Sequence, residues 1–194
     1  IRKELPLYRM PSLELLDEYS SQRHEVSDEE LYRNNNKIRA TLANYKIQVN
    51  DVQAIVGQTV TLYKVYPAPG VKISEIKKLQ EDIGMYLHAK GVRVVTLTDS
   101  VGIEVANDCP SVVPMRAVLN NKAFSGSKAE LPVAIGYTIQ QSVKVFDLAD
   151  APHLLVAGAT KQGKSVGLNA IVTSLLYAKH PSELKLVFID PKMV

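Results

Sequence analysis

The stretch His153-Leu154-Leu155-Val156-Ala157-Gly158-Ala159-Thr160-Lys161-Gln162-Gly163-Lys164-Ser165-Val166 decides how this chain is read. An apolar run enters a loop that begins and ends in glycine, and Lys-Ser follows the second glycine. That is the pattern G-x-x-x-x-G-K-[ST], the phosphate-binding P-loop. Each residue type in it has a physical task. Gly158 and Gly163 let the backbone turn tightly and bring its N–H groups onto phosphate oxygens. A helix starting here turns its positive dipole end toward the same oxygens. Lys164 is the expected catalytic residue, reaching the β and γ phosphates, and the Ser165 hydroxyl is the expected Mg²⁺ ligand. The expected ATP-binding set is Gly158, Ala159, Thr160, Lys161, Gln162, Gly163, Lys164, Ser165 and Val166.

Both flanks fit that reading. His153 to Ala157 is an expected strand, and Lys164 to Ala178 an expected helix that is apolar nearly all round. Such a helix is expected to lie buried against a sheet. Leu184 to Ile189 is a continuous apolar run of the kind parallel strands use. It ends in Asp190, a candidate Mg²⁺-side carboxylate, although Pro191-Lys192 follows where an adjacent Glu would activate water. A carboxylate at the carboxyl end of a strand beside the site is the plainer reading. Strand, loop, helix and strand make a βαβ unit, and the chain stops short of a complete parallel sheet.

Working toward the N-terminus, Val133–Ile135 and Val143–Phe146 read as strands, and Pro114 opens a short helix through Leu119. Ser125-Gly126-Ser127-Lys128 is the most flexible-looking stretch. Before it, turn signals and apolar periodicity spell helix, two strands, helix, two strands. Ser27-Asp28-Glu29-Glu30 is a capping box. Its helix should carry Leu31, Ile38, Leu42 and Tyr45 on one face, with Asn34-Asn35-Asn36 on the wet side. Val52–Gly57 and Thr59–Tyr66 form an expected hairpin. Ser74 is the expected cap of a second helix with Ile76, Leu79, Ile83 and Leu87 as its stripe, closed by a left-handed Gly91. Val92–Leu97 and Val101–Val105 complete the strands. The expected organisation is a tail at 1–26, a small α+β domain at 27–124, a flexible linker at 125–131, and the start of a P-loop NTPase domain with an incomplete parallel sheet at 132–194. The fold class is α/β.

Composition narrows the function less. The 194 residues are 46% hydrophobic and 22% charged, ordinary for a folded domain, with no apolar run of the roughly 18 residues a membrane span needs. The start lacks both an initiator Met and a signal-peptide core, which reads as a piece of a longer protein. The single cysteine, Cys109, cannot form an internal disulfide, which fits a reducing cytosol and an inert thiol. The four histidines have no ligand spacing, so no metal site of their own is expected. A net charge of +3 is compatible with nucleic acid without arguing for it. Lys72, Lys77, Lys78 and Arg93 read first as a solvated face, Tyr63 and Tyr66 as packing, and His153 as a boundary residue.

With these residues in view, His153–Thr160, Gln162–Val166 and the downstream Ile189-Asp190-Pro191-Lys192-Met193 resemble the FtsK/SpoIIIE family of bacterial DNA translocases. Upstream, Pro67-Ala68-Pro69-Gly70-Val71-Lys72, Val92-Arg93-Val94 and Val101-Gly102-Ile103-Glu104-Val105 resemble the small domain before that family's motor. Lys161 stands where the family usually has glycine, which stiffens the loop without touching the general pattern. The resemblance implies ATP and Mg²⁺ as cofactors, double-stranded DNA as partner, and a homo-hexamer ring. It also implies the cytoplasmic portion of a bacterial inner-membrane protein acting in chromosome segregation and cell division, with no membrane contact made by this segment itself. Another RecA-like motor such as a conjugation coupling protein, a P-loop kinase, and a non-catalytic assembly or DNA-contacting module are the alternatives.

Overall fold

The computed structural model describes residues 5–19, 26–158 and 163–190. The described residues form two compact units: 19–113 with 137–142 make one, and those up to 18, 114–136 and from 143 onward make the other.

The first of these is a two-layer α+β unit. Ser27 starts α1 (Asp28–Asn44), its hydroxyl accepting from the Glu30 N–H at 3.2 Å. The Glu30 carboxylate accepts from the Asp108 N–H, so the capping residue also ties down a distant loop. Strands β1 (Val49–Val56), β2 (Val60–Pro67), β3 (Val92–Thr96) and β4 (Val101–Ala106) pair antiparallel in the order β1-β2-β4-β3. Alternation sets the faces, with Val101, Ile103 and Val105 turned into the core. Tyr63 lies opposite Ala54 on one side and Ile103 on the other, and Ile103 lies opposite Val94.

Helices α1, α2 (Ile73–Lys78) and α3 (Gln80–Leu87) supply Ile38, Leu42, Ile76, Ile83 and Leu87 to the same core. The stripe Ile76, Leu79, Ile83, Leu87 is buried as the spacing predicts. Its helix differs in three details. It is capped by Lys72, breaks at Leu79, and ends in a left-handed His88 (φ 55°) in place of Gly91. The break places Gln80 where its side chain accepts from the Val94 N–H of edge strand β3.

Two expectations for α1 fail. Asn34 is buried, and Tyr45 is the exposed C-cap. The inward face runs through Glu30, Asn34, Ile38 and Leu42 at four-residue steps, so the helix is rotated toward its own polar residues. The Tyr63 ring beneath is fully buried, and that burial pushes the phenol pKa up.

The hairpin of β1 and β2 is locked from outside by Asn107. Its amide donates to the Gly57 carbonyl at 3.1 Å, and its carbonyl oxygen accepts from the Thr61 hydroxyl at 2.8 Å. Gly57 cannot be replaced cheaply, because a Cβ there would meet the Val60 carbonyl oxygen at 2.6 Å.

The other unit holds α4 (Met115–Leu119), α5 (Lys122–Ser125), a two-stranded sheet of β5 (Pro132–Tyr137) and β6 (Val143–Asp147), and α6 (Lys164–Ala178). Where the sequence reads as a linker, the chain makes local hydrogen bonds: Gly126 to the Lys122 carbonyl, Ser127 to the Phe124 carbonyl, and Ala129 to the Ser127 hydroxyl. Glu130 and Leu131 then donate to the Asp147 carboxylate. The division between the two units falls at Val113 and Pro114, ahead of 125–131.

The mixed α/β class holds, but the parallel ladder does not form among the described residues. His153–Ala157 and Leu184–Ile189 run without strand pairing, and Leu155, Val187 and Ile189 are about nine-tenths exposed. Helix α6 is correspondingly open, with Val166, Leu168 and Leu176 exposed and only Ser174 and Leu175 buried. Interior parallel strands need a hydrogen-bonded neighbour on each side, and the described residues supply none for these two.

Two substitutions test this account. Asn107→Ala leaves a buried carbonyl and hydroxyl unpaired and is expected to cost about 2 kcal/mol, read as a lower urea midpoint with unchanged slope; a loss under about 0.5 kcal/mol refutes the clip. Asp147 accepts three backbone N–H bonds, from Leu131, Ala149 and Glu130, and the Leu131 bond leads in holding its pKa below the ordinary carboxylate value. A depressed folded-state value means the clamp is fully present above about pH 3.9 and is lost as pH falls through the folded-state pKa. Asp147→Ala should therefore speed amide exchange at Glu130, Leu131 and Ala149 at neutral pH, and equal protection in the variant would refute it.

Candidate phosphate-binding site

Helix α6 begins as the sequence predicts, at Lys164. Gly163 precedes it in the left-handed region (φ 79°, ψ 14°), a conformation that costs a side chain strain and glycine nothing. The Gly163 carbonyl accepts the first helical bond, from Gly167 at 2.8 Å. Among the described residues no side chain caps this helix start. The first N–H groups of an α-helix have no intrahelical acceptor, and here neither Ser, Thr, Asp nor Asn takes their place. They form a set of donors backed by the positive end of a 15-residue helix, with Lys164 and Ser165 exposed on the first turn. An uncapped turn carrying an ammonium and a hydroxyl suits a polyanion with its associated cation. The residues present fit ATP with Mg²⁺.

Of the expected set, Gly158, Gly163, Lys164, Ser165 and Val166 are described and exposed, while Ala159, Thr160, Lys161 and Gln162 lie outside the described residues. Asp190 is exposed at the end of the Leu184–Ile189 segment. Lys72, Lys77, Lys78 and Arg93 all sit on the exposed surface of the α+β unit, as the solvated reading has it. Tyr63 is core and Tyr66 half-buried, both packing residues, and His153 is exposed. Cys109 is exposed and free.

Two residues that position this site were not singled out from sequence. Ser174, fully buried on α6, accepts from the Ala134 N–H at 3.1 Å and donates to the Ala170 carbonyl at 2.7 Å, joining the helix to β5. A lone serine among the apolar residues of a helix was the available signal. Asp147 caps the 3-10 turn Leu148–Asp150 that leads to His153, and the Asp-x-Ala spacing of an Asx turn could have revealed it. Among the described residues no helix is long and apolar enough to cross a membrane.

Comparison with known proteins agrees with this geometry. Residues 114–194 match the FtsK/SpoIIIE family, and residues 10–107 match the FtsK alpha domain. The DNA translocase FtsK of Haemophilus influenzae is 37% identical over 100% of this chain, which spans 37% of that protein. FtsK of Chlorobaculum tepidum is 39% identical over 96% of the chain, covering 24% of its own length. The DNA translocase SpoIIIE of Bacillus subtilis is 37% identical over 96% of the chain, again 24% of its length. The chain thus spans well under half of these relatives. A solved structure of the pCW3 conjugation coupling protein TcpA with ATPγS covers 74% of this chain and 42% of its own, at 18% identity and a TM-score of 0.30, a likeness too slight to bear on the fold. An alpha-domain match over 10–107, an FtsK/SpoIIIE match from 114 onward and relatives alike along the whole chain leave one assignment: the chain belongs to the FtsK/SpoIIIE family.

Proposed function

We propose that this chain is the α+β domain and the beginning of the motor of an ATP-driven double-stranded DNA translocase that works in chromosome segregation and cell division. The observation that carries the proposal is the left-handed Gly163 opening an uncapped helix with Lys164 and Ser165 on its first turn. Backbone N–H groups from Gly158 to Val166 would cradle the phosphates, Lys164 would neutralise β and γ charge, and Ser165 would hold Mg²⁺. Asp190 is a candidate Mg²⁺-side carboxylate, and the plainer reading of it is a carboxylate at a strand end beside the site. The chemistry is phosphoryl transfer to water, carried mainly by positioning and electrostatics. The motor portion begins at Pro114, supported by the unit division and the span of the family match. Membership of the family supports a homo-hexamer ring around DNA, on the cytoplasmic side of a bacterial inner membrane.

In the full-length protein, Lys164→Ala is expected to fold normally, because Lys164 is exposed, and to lower DNA-stimulated ATP hydrolysis by about 10² or more. Wild-type turnover in a well-folded variant would sink the role of Lys164. The 194-residue chain alone is expected to bind ATPγS weakly and release phosphate negligibly, since an arginine finger is worth about 10³ to 10⁵ in rate and a neighbouring subunit would supply it. Robust turnover by this chain that disappears in Lys164→Ala would show that residues present here complete the site.

A further inference from the structure

The segment from Leu5 to Glu18 precedes the α+β unit in sequence, yet it belongs to the compact unit that holds α6. Among the described residues, one hydrogen bond, one ring contact and one ion pair hold it there. The Tyr177 hydroxyl, in the last turn of α6, donates to the Ser12 carbonyl at 2.9 Å. The Tyr8 ring meets His180 edge-on, centroids 4.9 Å apart. Arg116 and Glu18 pair at 3.1 Å, with the Glu18 side chain 78% exposed. Ser12 also caps the 3-10 turn Leu13–Leu15 by accepting from Glu14, so the segment has a shape of its own.

The segment is poorly seated. No residue between 5 and 19 is buried, and Leu7 and Leu15 are 92% and 76% exposed. Open clefts of about 410 and 400 Å³ flank it. One runs between Pro11, Leu13, Phe124 and Tyr177, the other between Leu5, Tyr8, Met10 and His180. One neutral hydrogen bond, one ring contact and one exposed ion pair are small against the entropy of ordering so many residues.

These features describe a segment balanced between docked and released, and its principal anchor is the far end of the helix whose first turn carries Lys164 and Ser165. We infer that residues 5–18 are a releasable strap on α6, coupled to occupancy of the phosphate loop; the coupling rests on the nucleotide-binding reading above. Docked, the strap fixes the carboxyl end of α6, and Ser174 fixes its middle to β5. Released, it leaves the helix held by Ser174 and its apolar neighbours alone. Any chain that draws on residues upstream of Leu5 would then act on the nucleotide helix through Tyr177. By linkage, a nucleotide that favours the docked strap must bind more weakly once the strap is loosened, by the same factor.

The experiment is amide hydrogen exchange across the 194-residue chain, with equilibrium titration of Mg²⁺–ATPγS. A second readout is a Tyr8→Trp variant, whose indole is the sole tryptophan, the chain having none of its own. Tyr177→Phe, which keeps the ring and removes the hydrogen bond, should raise exchange in residues 5–18 about two- to tenfold and leave β1 to β4 unchanged. In the Tyr8→Trp background it should shift emission to the red. Saturating nucleotide should slow exchange in the strap, and Tyr177→Phe should weaken ATPγS binding by no more than that factor. Strap exchange that ignores Tyr177→Phe overturns the clamp. Nucleotide that binds the wild type with strap exchange unchanged overturns the coupling. Absence of nucleotide binding to the wild type overturns the nucleotide reading and the coupling with it, while the response to Tyr177→Phe still decides the clamp.

Discussion

A helix start without a side-chain cap is an unfinished piece of structure. Its leading N–H groups need acceptors, and most proteins supply one from Ser, Thr, Asp or Asn. Here Gly163 enters α6 from the left-handed region and, among the described residues, no side chain closes it. Much of the motor-side unit can be understood as what holds that open end in position. Ser174 joins α6 to β5 at a fully buried point. Asp147 gathers the amides of Glu130, Leu131 and Ala149, so the approach to His153 is fixed before the loop begins. Polar side chains do this work because the apolar surroundings are thin, with Leu155, Val166 and Ile189 all exposed.

The sequence was most legible where local chemistry decides the outcome. Ser27 and Glu30 marked the start of α1 because an N-cap is satisfied within four residues. Lys164–Ala178 was bounded correctly because the glycine before it and the change of pattern after it are local signals. Val101–Val105 was legible as a strand, one residue short of its end at Ala106. The phosphate-loop motif is likewise a run of adjacent residues, and of it the structure describes the helix start at Gly163 and Lys164.

Reading failed where a distant partner sets the answer. Three consecutive asparagines read as a wet face, but the α1 register is fixed by Ile38 and Leu42, which share the core with Tyr63 and its neighbours. That rotation carries Asn34 inward and leaves Tyr45 out. Gly91 was preferred as a helix cap on propensity, yet the amides of His88 and Ala89 reach the carbonyls of Met85 and Gly84, and those bonds hold a non-glycine residue left-handed. For His153–Ala157 and Leu184–Ile189 the apolar signal is real, but a strand exists only as a pair.

That last distinction separates two kinds of information in one chain. The P-loop is specified by residues that carry their chemistry with them, so its helix forms and its glycine turns even where the flanking segments have no ladder. The sheet beneath is specified by mutual burial, and hydrophobicity alone says that Leu155, Val187, Phe188 and Ile189 require cover without saying from what. In the α+β unit the two kinds coincide, because its four strands pair with one another and its helices close the same core. The α+β unit is therefore complete in its own contacts, whereas the unit that holds α6 has a locally formed helix start standing on an apolar surface that, among the described residues, is open.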